Sequence, residues 1–175
     1  MKRLIGLTVA FVVALAAVGL AVAGANRNWS QHANGSMEVP VRDSQGQAQL
    51  ILHLARDGDS LDYKLIASNI ENVFMAHIHL APPGMNGPIV VWLYPSTAPV
   101  PLTPPTGPID PGPIAEGTIT AANLVGPLAG RSLEDLVSAL NNDSSYVNLH
   151  TNDGVAPTNT GPGDFPGGEI RGDIR

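Results

Sequence analysis

With 175 residues and no cysteine, the chain has neither disulfide staples nor thiolate metal ligands. Its formal net charge is −6, and its nine basic side chains are scattered rather than clustered, which excludes nucleic acid as a partner. Past the N-terminal segment about 150 residues remain, enough for one domain with a single core.

Residues 1–25 read as an export signal. Lys2 and Arg3 give a positive start, Leu4 to Leu20 is almost uninterrupted apolar sequence, and Ala21-Val22-Ala23 or Ala23-Gly24-Ala25 supplies a small-residue cleavage site. The apolar stretch 4–23 is also close to the roughly 20 residues that span a bilayer, so an uncleaved N-terminal anchor is the competing expectation. Either way the protein is expected outside the cytoplasm: periplasmic, extracellular or associated with the cell envelope. Any membrane contact is expected to run through residues 4–23.

From residue 26 to 175 a single β domain is expected, because the apolar runs are short, repeat with period two and are separated by Gly and Pro. The first strand is Trp29–Ala33. Gln47–Leu54 and Leu61–Ser68 follow, with Ala48, Leu50, Leu52 and Leu54 on one face of the former and Leu61, Tyr63, Leu65 and Ala67 on one face of the latter. Arg56-Asp57-Gly58-Asp59-Ser60 joins them as a hairpin turn, since Asp-Gly supplies positive φ. Further strands are predicted at 74–80, 89–94, 114–120, 145–151 and 168–174. Eight prolines in residues 95–113 forbid regular pairing and predict an extended surface loop. Apolar residues at 133, 136, 137 and 140 behind Ser132 predict one short helix over about 132–141. The fold class is therefore all-β: a Greek-key-like sandwich or barrel of about eight strands with one helix.

Three of the five histidines share a structural character. In Phe74-Met75-Ala76-His77-Ile78-His79-Leu80 the alternation puts His77 and His79 side by side on the face opposite Ala76 and Ile78. In Ser145-Tyr146-Val147-Asn148-Leu149-His150-Thr151, His150 lies opposite Val147 and Leu149. Imidazole is the commonest protein ligand for copper and zinc, so His77, His79 and His150 form a candidate metal site. The competing reading is a hydrogen-bonded histidine cluster that involves no ion. A ligating histidine usually fixes its second ring nitrogen on a carboxylate or carbonyl, which makes Asp153, Asp164 and Glu169 candidate supports. For Glu169 a cross-strand ion pair with Arg171 or Lys64 is the favoured alternative. His53 falls among polar neighbours and His32 near a strand end, so neither is expected to bind.

Six motifs in order resemble the chordin-type domain, CHRD. They are Met37-Glu38-Val39-Pro40; Ala76-His77-Ile78-His79; Pro82-Pro83-Gly84 with Gly87-Pro88-Ile89-Val90; Gly117-Thr118-Ile119-Thr120-Ala121-Ala122-Asn123-Leu124; Tyr146 to Thr151; and Gly167-Gly168-Glu169-Ile170-Arg171-Gly172. The likeness covers about residues 29–175, with the proline-rich loop as an insertion. It implies an extracellular β-rich module without established catalysis, hence a binding or structural role toward an extracellular or envelope ligand. A more distant resemblance is to the copper-zinc superoxide dismutases. It implies copper ligation by His77, His79 and His150, by their order. No histidine lies between His79 and His150, so the bridging ligand and the zinc subsite of that family have no counterpart, and the site would be mononuclear.

Other motifs carry less. Arg171-Gly172-Asp173 spells an adhesion tripeptide, but its alternation with Ile170 and Ile174 places it inside the last strand. Asn28, Asn34 and Asn142 head formal glycosylation sequons. Trp29, Trp92 and Tyr94 are expected mainly in the core. No nucleophile elbow, phosphate loop or dinucleotide fingerprint is present, and no carboxylate pair is placed for glycoside hydrolysis.

Overall fold

The structure, a computed structural model, describes residues 27–96, 107–108 and 112–175. The expected signal or anchor at 1–25 and most of the proline-rich loop lie outside the described residues. Among the described residues no helix is long and apolar enough to cross a membrane.

Eight strands form one antiparallel sheet: β1 (Asn28–Asn34), β2 (Gln47–Leu54), β3 (Leu61–Ser68), β4 (Val73–Leu80), β5 (Ile89–Tyr94), β6 (Gly112–Ile119), β7 (Ser145–Thr151) and β8 (Ile170–Asp173). Their order in the sheet is β5-β4-β7-β8-β1-β2-β3-β6. The chain thus crosses the sheet between β3 and β4, returns between β5 and β6, and crosses again before β7. The two ends of the sheet approach each other. Val125 N–H donates to the Val90 carbonyl at 2.9 Å, and the Tyr63 hydroxyl donates to the Leu93 carbonyl at 2.9 Å, so the sheet curls into a nearly closed barrel. Closure of this kind removes the exposed edges that invite aggregation.

The period-two pattern explains which side faces inward. On β2 and β3 the inward residues are Leu50, Leu52, Leu54, Leu61, Tyr63 and Leu65; they pair across a continuous register from Gln47 opposite Ser68 to Leu54 opposite Leu61. Ala76, Ile78, Val147, Leu149 and Ile170 complete the core from β4, β7 and β8. The helix, α1 (Leu133–Asn141), lays Leu133, Leu136, Val137 and Leu140 onto it. The Asp135 carboxylate accepts hydrogen bonds from the Ser132 N–H and hydroxyl, satisfying donors at the helix start. Gly172 permits the close approach of β8 to β1, since a Cβ there would run into the His32 carbonyl oxygen.

One expectation is corrected. The last strand begins at Ile170 rather than 168, because Gly168 takes a φ of +124° that a strand does not accommodate. The outward faces of β4 and β7 are not open to solvent: every residue of β7 is buried, as are His77 and His79 on β4. Loops 35–46, 81–88 and 152–169 fold over that side.

Replacement of Ile78, which has no exposed surface, by Ala is expected to cost about 2–5 kcal/mol through lost burial and a cavity. Ile51 on the outer face of β2 is 40% exposed, and its replacement by Ala should cost under about 1 kcal/mol. Urea unfolding midpoints of the two variants check the assignment of faces.

Candidate metal centre

The register of β4 against β7 builds the site. Met75 stands opposite His150, His77 opposite Asn148 and His79 opposite Tyr146, so the side chains of 75, 77 and 79 share a face with those of 146, 148 and 150. His150 is therefore diagonal to His77, within reach of a ring. One ring nitrogen from each of His77, His79 and His150 lies within 4.8 Å of the others. His77 Nδ1 is 3.2 Å from His150 Nε2, and the ring centroids of His77 and His79 are 5.5 Å apart. Two nitrogens bound to one zinc or copper at about 2.0–2.1 Å stand at most about 4.2 Å apart, so a small contraction would close the triad on an ion.

Loop backbone fixes two of the rings. His79 Nδ1 is 2.9 Å from the Gly87 carbonyl oxygen, and His150 Nδ1 is 3.0 Å from that of Pro166. A carbonyl only accepts, so both Nδ1 atoms carry the proton; His79 Nε2 then presents a bare lone pair, and His150 Nε2 accepts from His77 Nδ1–H. Gly87 is required for this, because a Cβ there would collide with the Leu80 carbonyl oxygen and push the loop away. Among the described residues, His77 Nε2 and His79 Nε2 are buried without a hydrogen-bond partner.

The electrostatics favour neutral rings. Burial, reinforced by the neighbouring histidines, pushes the His77 pKa from an ordinary 6.5 down to about 2. Burial lowers His150 to about 4, against the opposing pull of its bond to Pro166. His79 is lowered by burial, opposed by its bond to Gly87 and aided by the charge of Arg171. Neutral imidazole is the form that binds metals, and here no proton must be expelled before an ion enters.

Around the triad the packing is aromatic and tightly bonded. Trp92 meets His77 edge to face at 4.2 Å between centroids, and Tyr146 stacks on His79 at 4.7 Å. The guanidinium of Arg171, wholly buried, sits 3.5 Å from the centre of the Tyr146 ring. Arg171 donates to Asp173 at 2.8 Å and to the Met85 carbonyl at 2.8 Å. Asn148 donates to the buried Glu38 carboxylate at 2.6 Å.

The three acids proposed as supports are bonded to other groups. Asp153 accepts from the Val155 N–H, and Asp164 from the Thr160 N–H and hydroxyl. Glu169 accepts from Ser44, Thr151 and the Gly163 N–H, so it ties loops 35–46 and 152–169 to β7. The ion pair expected of Glu169 with Arg171 or Lys64 is replaced by these bonds, because its side chain turns into the loops rather than across the strands. His53 is exposed and meets Asn28 at 2.6 Å on the far side of the barrel, and His32 is exposed on β1. Trp29 is in the core; Trp92 and Tyr94 are half-buried on β5. Sequence reasoning missed Gly87 and Pro166, whose contribution is a backbone carbonyl, and it missed the stack of Arg171 on Tyr146. The one available signal was that both residues lie at strand positions facing the same way as His79.

The family model of the CHRD domain matches residues 29–174. The chain belongs to the CHRD family. All three histidines and every group described around them fall inside that match. Among curated proteins and among solved structures, nothing matches the chain.

The depressed histidine pKa values give the metal-free CHRD domain a defined acid response. His77 and His150 bind protons near pH 6.5 when unfolded but only toward about 2 and 4 when folded, so between those limits the unfolded state holds more protons. Stability is then full above pH 6.5 and falls as pH is lowered toward 4. Urea midpoints measured from pH 7.5 to 4 in chelator should show this decline, and H77L should flatten it.

Proposed function

We propose that this CHRD protein is an exported, non-catalytic binding module whose ligand is a single copper or zinc ion held by His77, His79 and His150. The observation that carries the reading is the convergence of three buried, neutral imidazoles, two of them oriented by loop carbonyls and two with an unpartnered ring nitrogen. A hydrogen-bonded structural cluster would leave fewer nitrogens unanswered, because buried polar atoms are paired in the great majority of cases. Copper and zinc both suit nitrogen ligands. The order of the three histidines along the chain, on which the distant resemblance to copper-zinc superoxide dismutases rests, agrees with a copper site. The missing bridging histidine confines the likeness to one mononuclear site and supplies no dismutase chemistry.

Protein purified without a histidine tag and reconstituted with copper should contain one ion per chain by elemental analysis. His79→Ala should lose it, with the far-ultraviolet dichroism of the barrel unchanged. A wild-type protein that stays free of metal after reconstitution would instead assign the triad to structure alone.

Export is tested separately. Mass spectrometry of the protein recovered from the envelope or the medium should find a mature chain beginning near Gly24 or Asn26, as the cleavage-site sequence requires. A chain retaining residues 1–25 in the membrane fraction would establish the anchored form.

A further inference from the structure

We infer that the triad is built for monovalent copper, holding Cu(I) as a three-coordinate ion in preference to Cu(II) or Zn(II). This inference rests on the metal-binding reading above and specifies the ion and its oxidation state. Three features of the site converge on it.

The first is charge. All three ligands are neutral, so the whole charge of a bound ion would remain in the site. Among the described residues the carboxylates of the covering loops are bonded elsewhere, Glu169 to Ser44, Thr151 and Gly163 and Glu38 to Asn148 and the Val39 N–H, while Asp164 bonds Thr160 through Oδ2 alone. A cation, Arg171, is joined to His79 through the Tyr146 ring and is paired with Asp173. The cost of placing an ion in such a medium rises with the square of its charge, so a divalent ion is penalised far more than a monovalent one.

The second is coordination number. Zinc is almost always four-coordinate, and Cu(II) favours tetragonal sites with four or more ligands. The triad provides three nitrogens, and its histidines are 0%, 7% and 7% exposed, so the surroundings leave little access for water to complete the shell. A d¹⁰ Cu(I) ion has no ligand-field preference and is satisfied by three nitrogens.

The third is spacing. His77 Nδ1 and His150 Nε2 stand 3.2 Å apart, wider than the roughly 2.8 Å of adjacent ligands in a square site with bonds of about 2.0 Å and short enough for both to reach one ion. Binding through His77 Nδ1 requires only that its proton move to Nε2, a change of tautomer that leaves the ring neutral. The loop bonds from Gly87 and Pro166 hold the other two rings and oppose a rearrangement to square geometry.

The test uses the metal-free mature protein under anaerobic conditions. Cu(I) is titrated against bicinchoninate as competing chelator, and Cu(II) and Zn(II) against chelators of matched strength. Cu(I) should bind with one-to-one stoichiometry and at least about 100-fold more tightly than Cu(II), which places the midpoint potential about 120 mV above that of the aqueous couple. Arg171→Gln should narrow that gap, and if this variant does not fold, the wild-type series alone decides. Zn(II) or Cu(II) bound as tightly as Cu(I), and lost in His79→Ala, would overturn the inference while leaving the metal-binding reading intact. No ion bound at stoichiometry would remove both.

Discussion

The site depends on one constraint: the antiparallel register of β4 on β7, with the outer face of that pair sealed by loops. Register alone brings His150 to the diagonal of His77 and sets Tyr146 against His79. A slip of β4 by one residue would send His77 and His79 into the barrel, away from His150, and Ile78 out of it. The same apolar residues that fill the core therefore hold the polar cluster in place, since the register that buries Ala76, Ile78, Val147 and Leu149 is the only one that also gathers the histidines. Core packing and site geometry are two faces of a single pairing.

Loops rarely cover a sheet face tightly, because each brings backbone polar groups that need partners. Here the partners are supplied by buried side chains. Glu169 anchors Ser44 and Gly163 to the Thr151 hydroxyl, and Asn72 donates to the Gly163 carbonyl at 2.9 Å. Arg171 reaches the Met85 carbonyl and Asn86, whose amide in turn donates to the Val39 carbonyl, so two of the covering loops are stitched to each other. Burial raises the pKa of Glu38, and its bonds to Asn148 and the Val39 N–H work against that rise. A polar network of this kind is costly if incomplete and rigidifying when satisfied. It keeps water from the imidazoles and thereby keeps them neutral.

The barrel was largely legible in the sequence because period-two alternation reports burial directly. It placed the inward residues of β2 and β3, the Asp57-Gly58 hairpin and the helix behind Ser132. The pairing of His77 with His79 followed from the same rule. What alternation does not report is coverage of the second face, which comes from segments distant along the chain; β7 reads as half-polar yet is buried throughout. The supports of the rings were likewise hidden, since a backbone carbonyl is offered by every residue and carries no side-chain signature. Glu169 was assigned to a neighbour on its own sheet because strand logic looks across the ladder. The positive φ at Gly168 ended that ladder just before Glu169 and freed its side chain to face the loops.

A cluster of three buried histidines is an expensive way to fill space. Leaving a buried polar atom unsatisfied costs about 1–3 kcal/mol, and His77 Nε2 and His79 Nε2 are both in that position. A leucine or phenylalanine on the same face would pack under the same loops without that penalty and without a drop in stability toward acid. Sequences that depart from local optimisation tend to do so where a function is served. The departure here is confined to one face of two strands and uses the residue type best suited to nitrogen coordination. An ion accepted by the triad would satisfy the bare lone pair of His79 Nε2 in the folded state alone, and its binding free energy would add to folding stability by mass action. If such an ion binds, part of the local cost of the cluster would be recovered in the loaded protein, and the stability of this CHRD domain would then rise with the concentration of the ion.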